Sequence, residues 1–138
     1  MRHPLHPALV HFPVACWSLA VAADFAALWL GRAAWQWSGG LLAIGCAMAI
    51  VAMVAGLIEL ARVPDGAAMR DAYWHMGAML TALTLFAARL LLRWNEGAFL
   101  APDTVSLLLD AAGFLALAVG GWFGGRLVYG HGVGRGQL

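Results

Sequence analysis

Two imidazoles and two prolines share one octet, His6-Pro7-Ala8-Leu9-Val10-His11-Phe12-Pro13, at the head of a long apolar run. An imidazole can ligate a transition ion, exchange a proton or hydrogen-bond. At the edge of lipid such a group is costly, so its presence asks for a partner. His75 and His131 add two more imidazoles, and Glu59 adds a carboxylate at the end of another apolar run. Paired axial histidines hold b-type haem inside helical bundles, and His/Glu sets hold bare iron, copper or zinc. Cofactor binding is therefore the first chemistry to consider. Hydrolysis is not expected: Ser18 and Ser106 lie inside apolar spans on opposite sides, with no nucleophile–base pair evident.

The elements that must position these groups follow from composition. The chain has 138 residues, 63% hydrophobic and 11% charged. Soluble chains run at roughly 45–50% and 25%, and a domain this small cannot hide so much apolar surface from water. Lipid is the solvent that fits. Net charge is +1 and every basic residue is Arg, with no basic patch of the kind that binds nucleic acid. Cys16 and Cys46 are isolated in separate apolar runs and read as packing residues. The first run lacks a small-residue cleavage site and is expected to stay in the membrane.

Four spans are expected, over residues 7–31, 39–60, from between 67 and 73 to 94, and from 103 or 104 to 128. Each is long enough for a hydrocarbon layer of roughly 30 Å. Arg32 to Ser38 reads as a linker carrying interfacial Trp35 and Trp37. The turn Arg62-Val63-Pro64-Asp65-Gly66 stops the second span, and Asp103 or Thr104 can cap the fourth. The expected fold is one domain over residues 1–138. It is an all-α, up-down-up-down antiparallel four-helix bundle with both termini on the same side.

Such threading puts every histidine at one end, with Glu59, Asp71, Arg126 and Tyr129. His3 is assigned to the tail. His11, Ala15, Ser18 and Ala22 form one stripe, expected to face inward, and His75, Ala82 and Phe86 another. A haem b with His11 and His75 as axial ligands follows, with His6 and His131 available for a second. Gly121 and Gly124 leave room for a flat ring. Asp71, one turn before His75, is placed to hold its second ring nitrogen, with Arg126 and Tyr129 beside it. A bare ion would use His11, Glu59, His75 and His131. A third reading is a structural subunit with no cofactor. The glycine-rich fourth helix also admits a homodimer. At the other end Asp24, Arg89 and Asp110 lie at similar depth, and an ion-pair clasp is expected. Arginines count five on the histidine side (Arg2, Arg62, Arg70, Arg126, Arg135) and three on the other (Arg32, Arg89, Arg93), which puts the histidines on the cytoplasmic face.

Three stretches together resemble the bacterial membrane proteins of domain-of-unknown-function family 2231. They are His3-Pro4-Leu5-His6-Pro7-Ala8-Leu9-Val10-His11-Phe12-Pro13, Gly56-Leu57-Ile58-Glu59-Leu60-Ala61-Arg62-Val63-Pro64, and Gly124-Gly125-Arg126-Leu127-Val128-Tyr129-Gly130-His131-Gly132-Val133-Gly134. The resemblance covers essentially the whole chain. It implies a four-helix inner-membrane protein with His6, His11, Glu59, His75, Tyr129 and His131 at motif positions. Similar domains are joined to iron–sulfur or cytochrome c-like modules, which implies membrane redox work with a partner of that kind.

Overall fold

Long apolar runs leave the backbone no partner in lipid but itself, so they wind into helices. The computed structural model describes residues 5–134. Its helices are α1 (Leu5–Leu9), α2 (His11–Leu30), α3 (Arg32–Leu60), α4 (Ala67–Leu92) and α5 (Thr104–Gly125). A π-helical turn, Arg126–Gly130, extends α5. His3, Arg2 and Arg135 lie outside the described residues.

Four helical stretches are long and apolar enough to cross a membrane: His6–Leu30, Arg32–Leu60, Ala67–Leu92 and Thr104–Gly130. At about 1.5 Å per residue each exceeds the hydrocarbon thickness. Their outer faces carry Leu19, Ile44, Ile50, Leu80 and Leu115 exposed. In water that surface would drive aggregation; against acyl chains it is neutral.

α1 and α2 form one span interrupted at Val10. Pro13 has no N–H to give the Leu9 carbonyl, and its ring crowds that oxygen. Between α2 and α3 the expected seven-residue linker is absent. Gly31 alone makes the reversal, at φ 70°, and residues 32–38 belong to α3. A positive φ is open to glycine at no steric cost, so a single residue suffices. After α4 comes a small hairpin, β1 (Trp94–Asn95) paired antiparallel with β2 (Ala98–Phe99). Its loop residues Glu96 and Gly97 both have positive φ, as a two-residue type I′ turn requires. At the start of α5, Asp103 Oδ1 accepts the Ser106 amide at 2.8 Å, so Asp103 is the cap.

α2 packs along α3, and α4 along α5. The core lies midway, where Trp17 and Phe86 approach with ring centroids 4.9 Å apart among Ala20, Leu42, Ala49, Ala82 and Leu117. Two helix glycines make this approach possible. A Cβ on Gly45 would stand 2.6 Å from the Trp17 ring, and one on Gly113 would stand 2.8 Å from Phe86. Between helices in lipid, close packing of this kind replaces the hydrophobic drive.

Candidate functional site

α1 is held to α3 by two bonds from one residue. The His6 amide donates to Glu59 Oε1 at 3.2 Å, and His6 Nδ1 donates to the Ala52 carbonyl at 2.7 Å. Across from it, His75 Nδ1 donates to the Gly120 carbonyl at 2.8 Å. A carbonyl oxygen only accepts, so Nδ1 carries the proton in both rings. In each neutral imidazole the lone pair is then on Nε2. The two ring centroids are 6.0 Å apart and the planes almost perpendicular, at 83°.

Both rings line a cleft of about 450 Å³ between α3 and α4, floored by apolar residues that include Met53, Met76 and Met79. Glycine makes the seats. A Cβ at Gly56 would meet the His6 ring at 3.0 Å, and one at Gly124 would meet the His75 ring at 3.2 Å. Glu59 also lines the cleft.

The expected arrangement needs correction at several positions. His11 is exposed, as are Ala15 and Ala22 on its stripe, so that stripe faces outward. The buried face of α2 runs through Pro13, Trp17, Ala20, Asp24 and Ala27. These positions recur at spacings of four and three residues. Continued backwards, the same recurrence reaches Val10 and His6, both of which line the cleft. His6 and His11 are five residues apart, roughly 140° around a helix, so only one can face inward. The signal was legible: Asp24 has to face inward for a partner, and three sevens back from Ala27 is His6.

Asp71 does not hold His75. Its Oδ2 receives His131 Nε2 at 2.9 Å and pairs with Arg126 Nε at 3.1 Å. Of the two glycines expected to make room, Gly124 does so against His75, while Gly121 faces outward with open space above it. Tyr129 is exposed. His11, Glu59, His75 and His131 are not gathered. Among the described residues no group of three or more His, Cys, Asp or Glu side chains is arranged to hold a metal ion.

At the opposite end the charges meet. Arg89 Nη2 pairs with Asp24 Oδ2, and Arg89 Nε lies 3.2 Å from Asp110 Oδ1. Arg89 Nη2 also donates to Ser38 Oγ at 2.8 Å. Arg93 completes the cluster, its Nη1 donating to Asp24 Oδ2 at 2.7 Å. Sequence reasoning placed Arg93 at this end without a role. Its spacing of four from Arg89, hence a shared helix face, was the available signal. Arg93 also donates to the Leu100 carbonyl through Nε and Nη2, tying the hairpin to the cluster. Gln36 donates to the Phe99 carbonyl at 2.8 Å, and Phe99 lies over Gly39. Burial pushes the Arg93 guanidinium below its ordinary range, against the pull of the Asp110 and Asp103 carboxylates. Two arginines and two aspartates balance, which is how four charges are tolerated in a dry interior.

A family model described as "Predicted membrane protein (DUF2231)" matches residues 2–137. No curated protein and no solved structure matches the chain.

Proposed function

The chain belongs to the DUF2231 family of membrane proteins, and we propose that it is a cofactor-binding member with His6 and His75 as the ligand pair. It would thread the bilayer up-down-up-down, with residues 5 and 134 on the same side. Two contact sets support this threading. The end of α2, the start of α3, the end of α4 and the start of α5 share the Arg–Asp cluster. The opposite helix ends share the His6–His75 cleft. Arg89 and Arg93 are buried in the cluster, which leaves exposed Arg32 against exposed Arg62, Arg70 and Arg126. That margin favours the histidine end at the cytoplasmic face of a bacterial inner membrane.

The cofactor proposed is haem b, and one observation carries the choice. Both Nδ1 protons are tied to main-chain carbonyls, and the rings are 6.0 Å apart. Two imidazoles held this close in one cleft would be the residues to hold a haem iron through their Nε2 atoms. A carbonyl on Nδ1 fixes the tautomer and raises the basicity of Nε2, as at ligating histidines generally. The pair is thus His6 and His75, in place of His11 and His75. Bound there, a haem would supply one-electron chemistry. The chain's own residues orient the two nitrogens, keep water out with an apolar cleft, and leave the heads of α1 and α4 close to the surface. The function that follows is electron transfer or redox sensing, with an iron–sulfur or cytochrome c-like protein as the partner class. A bare iron, copper or zinc ion would have the same two imidazoles, with Glu59 at the cleft already taking the His6 amide.

Protein purified from haem-replete cells is expected to show a Soret band. His6→Ala and His75→Ala should each abolish it, while His11→Ala should retain it. Colourless protein overturns the haem reading. Stoichiometric metal without a Soret band would select the bare ion, and loss of the band in His11→Ala alone would restore the original pair.

A further inference from the structure

We propose that Asp71 is a positioning residue of the cleft: it clamps the turn after α5 so that Leu127 and Val133 form the wall on the side where the chain leaves the membrane. The proposal rests on the reading above only in taking the cleft as the ligand site.

Asp71 lies in the first turns of α4 and is 2% exposed, yet its carboxylate is not matched within its own helix. One oxygen, Oδ2, takes both Arg126 and His131. Those residues are five apart. In an α-helix they would point roughly 140° away from each other, and one carboxylate could not take both. The turn between them is π-helical, with the His131 amide donating to the Arg126 carbonyl at 3.0 Å. An i→i+5 turn brings residues five apart onto nearly the same face. The local winding and the double pairing therefore imply each other.

What the clamp holds is the cleft wall. Leu127, inside the π turn, is buried and lines the cleft. Val133, two residues beyond His131, lines it too, and its amide donates back to the Leu127 carbonyl at 2.9 Å. Arg126 also lies over the Phe123 ring, 5.8 Å from its centroid, and Phe123 stacks on Trp74 of α4. These contacts seat the end of α5 on the start of α4, and Asp71 is the buried point to which the Arg126 guanidinium and the His131 imidazole converge. Without Asp71, Arg126 and His131 lose the buried carboxylate oxygen that both pair with, and Val133 leaves the cleft with the turn. The imidazoles of His6 and His75 would then face water from that side.

The test is thiol labelling of a Val133→Cys variant in a Cys16→Ala, Cys46→Ala background, reconstituted in lipid nanodiscs so that both faces are accessible. A water-soluble maleimide reports the exposure of position 133, and a Glu96→Cys control reports the far end. Asp71→Asn and His131→Ala should each raise the rate at position 133 about tenfold or more, the scale of losing one charge-assisted bond. The Glu96→Cys rate should not move. Unchanged labelling at position 133 in both variants overturns the proposal. If Asp71→Asn accelerates the control site as well, it has unfolded the bundle, and His131→Ala then decides alone. Labelling requires no haem. A colourless protein therefore overturns the haem reading and not this one, and unchanged labelling in a red protein overturns only this one.

Discussion

The two ends of the bundle solve the same problem in opposite ways. Both place polar side chains inside a membrane protein. At the Arg–Asp end the polar groups answer one another: four charges and a serine hydroxyl are buried among four helices, and a hairpin lies across them. At the histidine end the Nδ1 protons of His6 and His75 are answered by main-chain carbonyls, and Nε2 of His131 by the Asp71 carboxylate. The first arrangement sets charge against charge, yet leaves buried atoms such as Asp24 Oδ1 and Arg89 Nη1 without a hydrogen bond. Between them stand Trp17 and Phe86, packed against glycines. One end is held charge against charge, and the other is held ring against main chain.

The sharpest way to break this contrast is to remove Arg89. Arg89→Ala strands Asp110 and leaves Asp24 with Arg93 alone, and taking one partner from a buried set costs about 3–5 kcal/mol. Reversible unfolding in mixed detergent should record that loss, with bound cofactor falling only as the folded fraction falls. A cofactor lost from fully folded Arg89→Ala protein would join the two ends and end the comparison. A smaller effect separates two neighbouring glycines at the histidine end. Gly124→Ala presses a methyl on the His75 ring and should cost about 1–3 kcal/mol as overpacking. Gly121→Ala, three residues earlier in the same helix and open to the outside, should stay within about 0.5 kcal/mol. Equal losses would mean that the outward face of α5 is also occupied. The smallest effect belongs to the α5 cap. Hydrogen bonds from the Ser106 hydroxyl and amide hold the Asp103 carboxyl below its ordinary range. A depressed carboxyl contributes stability above its unfolded pKa and loses it as pH falls through the folded value. Protection of the amides in the first turn of α5, taken relative to the intrinsic exchange rate at each pH, should therefore fall on acidification below about pH 4.

Most of the architecture was legible because its causes are local. A long apolar run between breakers becomes a spanning helix, and an aspartate before such a run caps it. The Asp24–Arg89–Asp110 contacts could be expected because charges in lipid must find each other. What was misread had non-local causes. The choice between His6 and His11 depended on helix phase, which Trp17 and Asp24 fix from further along α2. Asp71 looked like a partner for His75 four residues on, but its real partners lie 55 and 60 residues away, reachable only because α5 ends in a π turn. The linker at residues 32–38 was drawn too long because Gly31 alone can turn the chain. The hairpin at residues 94–99 falls between two spans, where a span-by-span reading passes over its Glu96-Gly97 turn.

The clasp around Asp24 also has a place in time. Asp24 is made with α2, whereas the Arg93 guanidinium that pairs with it is 69 residues further along the chain. At synthesis rates of 5–20 residues per second, that interval is about 3 to 14 s. For those seconds the first two helices are complete, apolar enough for lipid, and joined by one residue, yet they contain an acid with no counter-charge. The first hairpin therefore has a reason to wait in a protein-lined or hydrated setting until α4 arrives.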